Sequence, residues 1–194
     1  MTENGSSPAQ SVNWLRATGP ENDVVVSSRI RLARNLANYP FLIKMTPDQR
    51  IALIAEMEKE VRASSFLKKA NMILTKEIGE IDRQFLLERY LISNALVRED
   101  GASAVVITPD EMVSLMMIEE DHLRLQVFQS GLNLAEAWRI ADEIDMELEK
   151  SLSYAFDATL GYLTACPTNV GTGIRASCML HLPSLVITKQ IQKV

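Results

Sequence analysis

Four arginines, one acidic run and one cysteine are the residues of this sequence best suited to chemistry. Arg29 and Arg31 lie two apart in "VVVSSRIRL" (24–32), Arg124 follows "EEDH" (119–122), and Arg175 follows the glycines of "CPTNVGTGIRAS" (166–177). Taken singly, an arginine on an exposed strand is a solvated surface residue. Guanidinium groups are planar forks that grip phosphate oxygens in pairs, and each charge-assisted bond contributes about 1.5 to 3 kcal/mol, so several that converge can hold a triphosphate without a P-loop. The acidic run alone reads as a charged turn. Next to phosphate-binding arginines it has a second use, because a carboxylate can fix a guanidinium in line with a phosphoryl group and take its proton as the N–P bond forms. Cys166 is by default a small buried apolar residue, and beside a Pro-Thr-Asn turn it could equally be a thiolate next to that cation.

These residues must be positioned by the elements around them. The β-branched stretch 24–32 reads as a strand whose alternation puts Arg29 and Arg31 on one face. Thr46-Pro47-Asp48-Gln49 has the cap, the first-turn proline and the Gln of a helix start, and "IALIAEMEKEVRASSFL" is the body of that helix. A shorter helix is expected over 82–92 with Asp82 as its cap. "ASAVVIT" (102–108), "MVSLMMIEE" (112–120) and "LRLQVFQ" (123–129) read as three successive strands, the first two joined by a Pro109-Asp110 turn. From Asn133 to Leu152 the apolar residues Leu134, Ala137, Trp138, Ala141, Ile144, Leu148 and Leu152 recur at helical spacing. "GYLTAC" and "RASCMLHL" then read as strands, which makes 166–177 a strand-turn-strand element. In it Gly171 and Gly173 permit positive φ and close approach, Cys166 stands at the open end, and Cys178 is buried by alternation. Strands in meander with unevenly placed helices predict an α+β fold, a largely antiparallel sheet flanked by helices.

The composition narrows the function. A net charge of −5 over 194 residues is wrong for a surface that neutralises nucleic acid, so any anion site must be a local cluster of cations. The N-terminus lacks a basic start followed by an apolar core, and no apolar run approaches the roughly 20 residues of a membrane helix. Two cysteines and two histidines without zinc spacing point to no metal ligands in the chain and to a cytoplasmic protein with reduced thiols. No G-x-x-x-x-G-K-[ST], H-R-D or D-F-G occurs. "GTGIRA" matches the loose dinucleotide pattern, but that pattern needs a helix to begin in the turn, and a strand follows here.

"SSRIRLARN", "EEDHLR" and "CPTNVGTGIRAS", in that order, resemble the signature segments of the ATP:guanido phosphotransferases, and the resemblance spans residues 24 to about 185. It implies ATP and Mg2+ as cofactors and nucleotide contacts at Ser27, Ser28, Arg29, Ile30, Arg31, Tyr90, Arg124, Arg175, Ala176, Ser177, Cys178 and Met179. It implies Glu120 as the catalytic carboxylate and Cys166 against the reactive guanidinium. The early start of the first arginine motif resembles the bacterial branch that phosphorylates arginine side chains of proteins. That likeness implies protein substrates with exposed arginine, and as partners a heat-shock repressor and the Clp protease machinery. Two alternatives stay open: a kinase for free arginine or another small guanidine, and a non-catalytic nucleotide-binding relative.

The sequence departs from the family at three places. Tyr90 stands where the bacterial branch has His, and Ile118 where the family has Asn before "EEDH", which puts in doubt a polar contact that would orient Glu120. The chain also stops at Val194, before the family's later Gly-rich segment and the C-terminal helical domain. The organisation expected is therefore a polar leader over 1–22 and a catalytic domain over 23–194, truncated at its C-terminus, so that turnover is expected of a completed chain and not of these 194 residues alone. The sheet edge left after "RASCMLHL" would favour self-association into a homo-oligomer.

Overall fold

Strand β1 (Val25–Arg34) is the ten-residue spine on which the other elements are arranged. The computed structural model describes residues 12–16, 18–98 and 102–193. After β1 come α1 (Pro47–Ala63), β2 (Asn71–Leu74), α2 (Glu80–Glu88), α3 (Asn94–Arg98), β3 (Ala104–Ile107), β4 (Val113–Met117), β5 (Leu123–Ser130) and α4 (Leu134–Glu149). The chain continues through β6 (Phe156–Asp157), β7 (Gly161–Tyr162), β8 (Ile174–Leu180) and α5 (Pro183–Ile187). Six strands form one antiparallel sheet in the order β2-β3-β4-β5-β1-β8, and β6 and β7 form a separate ribbon.

Alternation divides the sheet into two faces. Ile30 and Leu32 of β1, Leu115 of β4, and Leu125 and Val127 of β5 pack under Leu53, Met57 and Val61 of α1 and Ala141, Ile144 and Leu148 of α4, forming the main core. Helix α1 begins as expected: the Thr46 hydroxyl accepts from the Gln49 N–H while the Gln49 side chain accepts from the Thr46 N–H, with Pro47 at the first turn. The opposite face carries a smaller core in which Val105, Ile107, Met116 and Phe128 meet Trp14, Leu91 and Leu96. Trp14 stacks on Phe128 with ring centroids 5.1 Å apart. Of the leader expected over 1–22, residues 1–11 and 17 lie outside the described residues.

Several sequence expectations are corrected. Helix α2 starts two residues before Asp82, with Gly79 at the cap position and Asp82 within the first turn. "GYLTAC" is not a strand of the main sheet: only Gly161–Tyr162 is extended, paired with Phe156–Asp157 across a turn in which the Asp157 carboxylate accepts from the N–H groups of Thr159 and Leu160. The segment after Cys166 is a 3-10 turn, Pro167–Asn169, so 166–177 is turn-loop-strand. Strand β8 is an edge strand with most residues exposed, so Cys178 is exposed and Cys166 is the more sheltered thiol. Alternation buries a side chain only where another layer covers that face, and nothing among the described residues covers β8.

Candidate active site

The registers of β5, β1 and β8 gather the arginines. Across β1 and β5, Arg29 faces Phe128, Arg31 faces Gln126 and Ala33 faces Arg124. Across β1 and β8, Arg31 faces Arg175 and Arg29 faces Ser177. Residues directly opposite in an antiparallel pair project to the same side, so all four guanidinium groups stand on the face that carries the smaller core. Ser27, Ser177 and Met179 share this face. The side chains of Ser28, Ile30, Ala176 and Cys178 project from the opposite face, so the nucleotide contacts expected at these four positions fall to their backbone. Ile30 belongs to the main core, and the Ser28 hydroxyl donates to the Gly131 carbonyl and accepts from the Asn133 N–H at the start of α4.

Two adjoining clefts open on the arginine face. The larger, about 390 Å³, is lined by Arg29, Arg31, Arg124, Tyr90, Ser93 and Gln126. Its far wall is α2 and the turn after it, held to the sheet by Gln126, which donates to the Tyr90 carbonyl at 2.7 Å. Tyr90 is half exposed, with its backbone at φ 58°. The smaller cleft, about 90 Å³, is lined by Arg31, Arg124, Arg175, Glu120, Cys166 and Asn169. Arg31 and Arg124 belong to both clefts.

Electrostatics gives the clefts their preference. Burial, with Arg29, Arg175 and Arg124 nearby, lowers the Arg31 guanidinium to about 10, and its Nε is buried without a hydrogen-bond partner. Arg29 is also lowered, first by burial and next by Arg175, and its Nε donates to the Ser177 hydroxyl at 3.3 Å. Clustered cations raise the energy of the fold, and a polyanion relieves that cost with several charge-assisted bonds at once. Arg124 is the exception: it donates to Glu119 at 2.6 Å and to Glu120 at 3.0 Å. Glu119 is buried and also accepts from the Ser93 hydroxyl, whereas the Glu120 side chain is 43% exposed.

The turn that carries Glu120 is built on strain and buried polar groups. Ile118 is fully buried at φ 60°, a region that a β-branched residue enters only at a cost. An Asn, the residue that the family resemblance implies here, would tolerate that φ more readily. With Ile118 in the apolar core, it is Arg124 that contacts Glu120. The Asp121 Oδ1 accepts from the Asn35 amide and from the Ala165 N–H, both at 2.6 Å, and so joins the acidic turn to the residue before Cys166. The fully buried His122 ring accepts from the Leu36 N–H at Nδ1 and donates to the Pro40 carbonyl from Nε2, each at 3.0 Å.

Two predictions arise here. Burial lowers the His122 imidazole below its ordinary 6.5. The unfolded chain therefore takes up this proton first, and the stability contributed by neutral His122 is complete above 6.5 and lost as pH falls through the folded value. The thermal midpoint is expected to fall between about pH 7 and pH 5.5, above the range where carboxylates titrate. A flat profile in scanning calorimetry would exclude this coupling. Gly173 has φ 66°, and a Cβ there would lie 2.5 Å from Arg34 Nη1 and 2.6 Å from the Ala33 carbonyl oxygen. Gly173→Ala is expected to lose at least about 1 to 3 kcal/mol from backbone strain alone, read as a lower urea midpoint.

Glu119, Ser93, Gln126, Asn35 and Asp121 were not singled out from the sequence. Glu119 and Asp121 sit inside the quoted acidic run, where only position in the turn separates a buried carboxylate from an exposed one. The others act through backbone carbonyls or a neighbour's side chain, which no spacing marks.

Comparison with known proteins follows the same outline. Residues 52–194 match the model of the ATP:guanido phosphotransferase C-terminal catalytic domain. The chain is 51% identical over 180 residues to a protein-arginine kinase of Symbiobacterium thermophilum, a match covering 91% of this chain and 51% of that one. It is 47% identical over 185 residues to a protein-arginine kinase of Brevibacillus brevis, covering 94% and 52%. The chain thus spans about half the length of these relatives. Among solved structures, a duplicated taurocyamine kinase from Schistosoma mansoni with bound transition-state-analogue components superposes with a TM-score of 0.80 at 24% identity, over 91% of this chain and 26% of that one. A lombricine kinase superposes with a TM-score of 0.74 at 22% identity, over 98% and 57%, and these two likenesses speak to the fold.

Proposed function

The chain belongs to the ATP:guanido phosphotransferase family through its C-terminal catalytic domain, and on that premise we propose that it forms part of a kinase that moves the γ-phosphoryl group of Mg-ATP onto arginine side chains of proteins. The observation that carries this reading is the junction of the two clefts. Arg29, Arg31 and Arg124 line the larger, and Arg31, Arg124 and Arg175 line the smaller together with Glu120 and Cys166. A triphosphate laid along the arginines would bring its terminal phosphoryl to the smaller cleft, where a carboxylate and a thiol face an incoming guanidinium.

In such a transfer the protein supplies position and charge rather than a covalent intermediate. The arginines grip and orient the phosphates. Glu120 aligns the acceptor guanidinium and receives its proton, and Cys166 contacts the acceptor's far side. The cation-lined clefts fit a Mg2+ carried in on the nucleotide rather than one held by side chains, since both neighbouring carboxylates are engaged by Arg124. When bound, that ion neutralises part of the charge on the transferring group.

The choice of protein arginine over a small guanidine rests on the relatives' printed names and their identity of about half. Cytoplasmic residence, Clp-directed marking and control of a heat-shock repressor are the finer part of the reading, carried by the sequence resemblance. Among the described residues no helix is long and apolar enough to cross a membrane. The test is incubation of a full-length protein containing this chain with Mg-ATP and either an arginine-rich protein or free arginine, followed by mass spectrometry for acid-labile phosphoarginine. Phosphoarginine on the protein is the expected result. Modification of free arginine alone would move the assignment to small guanidines, and nucleotide binding without any product would reduce it to a binding module.

A further inference from the structure

Arg34 closes β1 but stands outside both clefts, buried with its side chain 3% exposed. Its Nε and Nη2 donate to Asp145 Oδ2 of α4 at 3.2 and 2.7 Å. Its Nη1 donates to the carbonyls of Ala33 and Thr172, both at 2.9 Å. Its guanidinium carbon lies 3.6 Å from the centroid of the Tyr162 ring on β7. Thr172 sits between Gly171, which pairs with Tyr162 through two backbone hydrogen bonds, and Gly173, whose carbonyl accepts from the Ala33 N–H. One side chain thus fastens a strand end, a helix and the ribbon to the middle of the loop that runs from Cys166 to Arg175.

We propose that Arg34 is a positioning residue that sets this loop, and through it the placement of Cys166 against Glu120. A buried ion pair is a weak source of stability, since apolar side chains of similar volume often replace one at no net cost. An apolar side chain could fill the space under Tyr162. It could not hold the Thr172 carbonyl, and no other side-chain donor among the described residues is recorded on that oxygen. The oxygen lies between two residues at φ 112° and 66°, a backbone with little local preference of its own. The other end of the loop is tied independently, by Asp121 to Ala165.

The exposed Cys178 on β8 provides an internal reference. The double variant Arg34→Met with Asp145→Leu removes the pair without stranding a charge. Both variant and parent are alkylated with iodoacetamide, and the rates at Cys166 and Cys178 are read separately by peptide mapping. The expected result is a Cys166 rate raised at least threefold, a Cys178 rate unchanged within error, and a thermal midpoint within a few degrees of the parent. An unchanged Cys166 rate, or a parallel rise at both cysteines, would overturn the proposal, because it would show no effect or only general loosening. Should the double variant fail to fold, Arg34→Lys keeps a charge opposite Asp145 but lacks the fork that reaches Thr172 as well, and the same selective rise at Cys166 is required of it. The readout needs neither nucleotide nor acceptor, so it stands or falls separately from the kinase reading.

Discussion

Glu120→Gln is expected to lower phosphoarginine formation by roughly 10² to 10⁴ while nucleotide affinity changes by less than about threefold, because a positioned general base acts on the proton rather than on binding. The size follows from what glutamine keeps and loses. It keeps the shape and one carbonyl that can accept from the Arg124 guanidinium now 3.0 Å from the carboxylate. It loses the charge that aligns a guanidinium and the basicity that accepts its proton. Burial separates Glu120 from its neighbour: the Glu119 side chain is 1% exposed and shared by Arg124 and Ser93, whereas that of Glu120 is 43% exposed at the smaller cleft. Glu119→Gln should instead loosen Arg124 and weaken nucleotide binding. Single-turnover phosphorylation with a parallel nucleotide titration separates the two patterns. A near-normal rate in Glu120→Gln would remove this residue from the chemical step.

Arg31→Ala is expected to weaken nucleotide binding by roughly 10² or more, since it removes at least two charge-assisted bonds of about 1.5 to 3 kcal/mol each. The free protein should nevertheless melt no lower, and at low salt higher. Arg31 is lowered to about 10 by burial and by Arg29, Arg175 and Arg124, so the unfolded chain holds this proton more firmly than the folded one. The charged guanidinium therefore works against folding, a cost that water and salt screen in part because the side chain is only partly buried. Removing the residue lifts it at any pH. Isothermal titration with ATP and a thermal scan in low and high salt check both halves. A variant that binds as tightly as the parent would place the phosphates elsewhere.

Much of this arrangement was legible in the sequence, for identifiable reasons. The Thr46 capping box and the apolar spacing of α4 are local signals that need no tertiary partner, and both helices begin where those signals put them, while α1 ends at Ala63 and α4 at Glu149, short of the expected Leu67 and Leu152. The period of β1 placed Arg29 and Arg31 on one face, but only the registers of β5 and β8 could bring in Arg124 and Arg175. Strand β2 escaped notice because four residues, Asn71–Leu74, at a half-covered edge show no alternation of burial. Cys178 was read as buried because its strand is apolar, and alternation says nothing about whether a second layer exists. Asp145 was hidden in the opposite way: it interrupts the apolar face of α4 and looks like a surface residue until Arg34 reaches it from β1. Residues that act by holding a carbonyl, such as Arg34 and Gln126, leave no mark in spacing at all.

The pairing of Arg31 with Arg175 has a consequence for motion. Two like charges directly opposite each other weaken the contact between β1 and β8, and among the described residues β8 pairs with β1 alone. Among the described residues β1, β4 and β5 are flanked on both sides, so the amides of β8 are expected to open at a lower free energy than theirs when no anion is bound. An anion bridging the two guanidinium groups turns that repulsion into shared attraction and closes the strand against the sheet. On the proposed reading, phosphates gripped by Arg175 would order the strand that presents it, and part of the binding energy would go into fastening β8 to β1 rather than into the grip on the ligand.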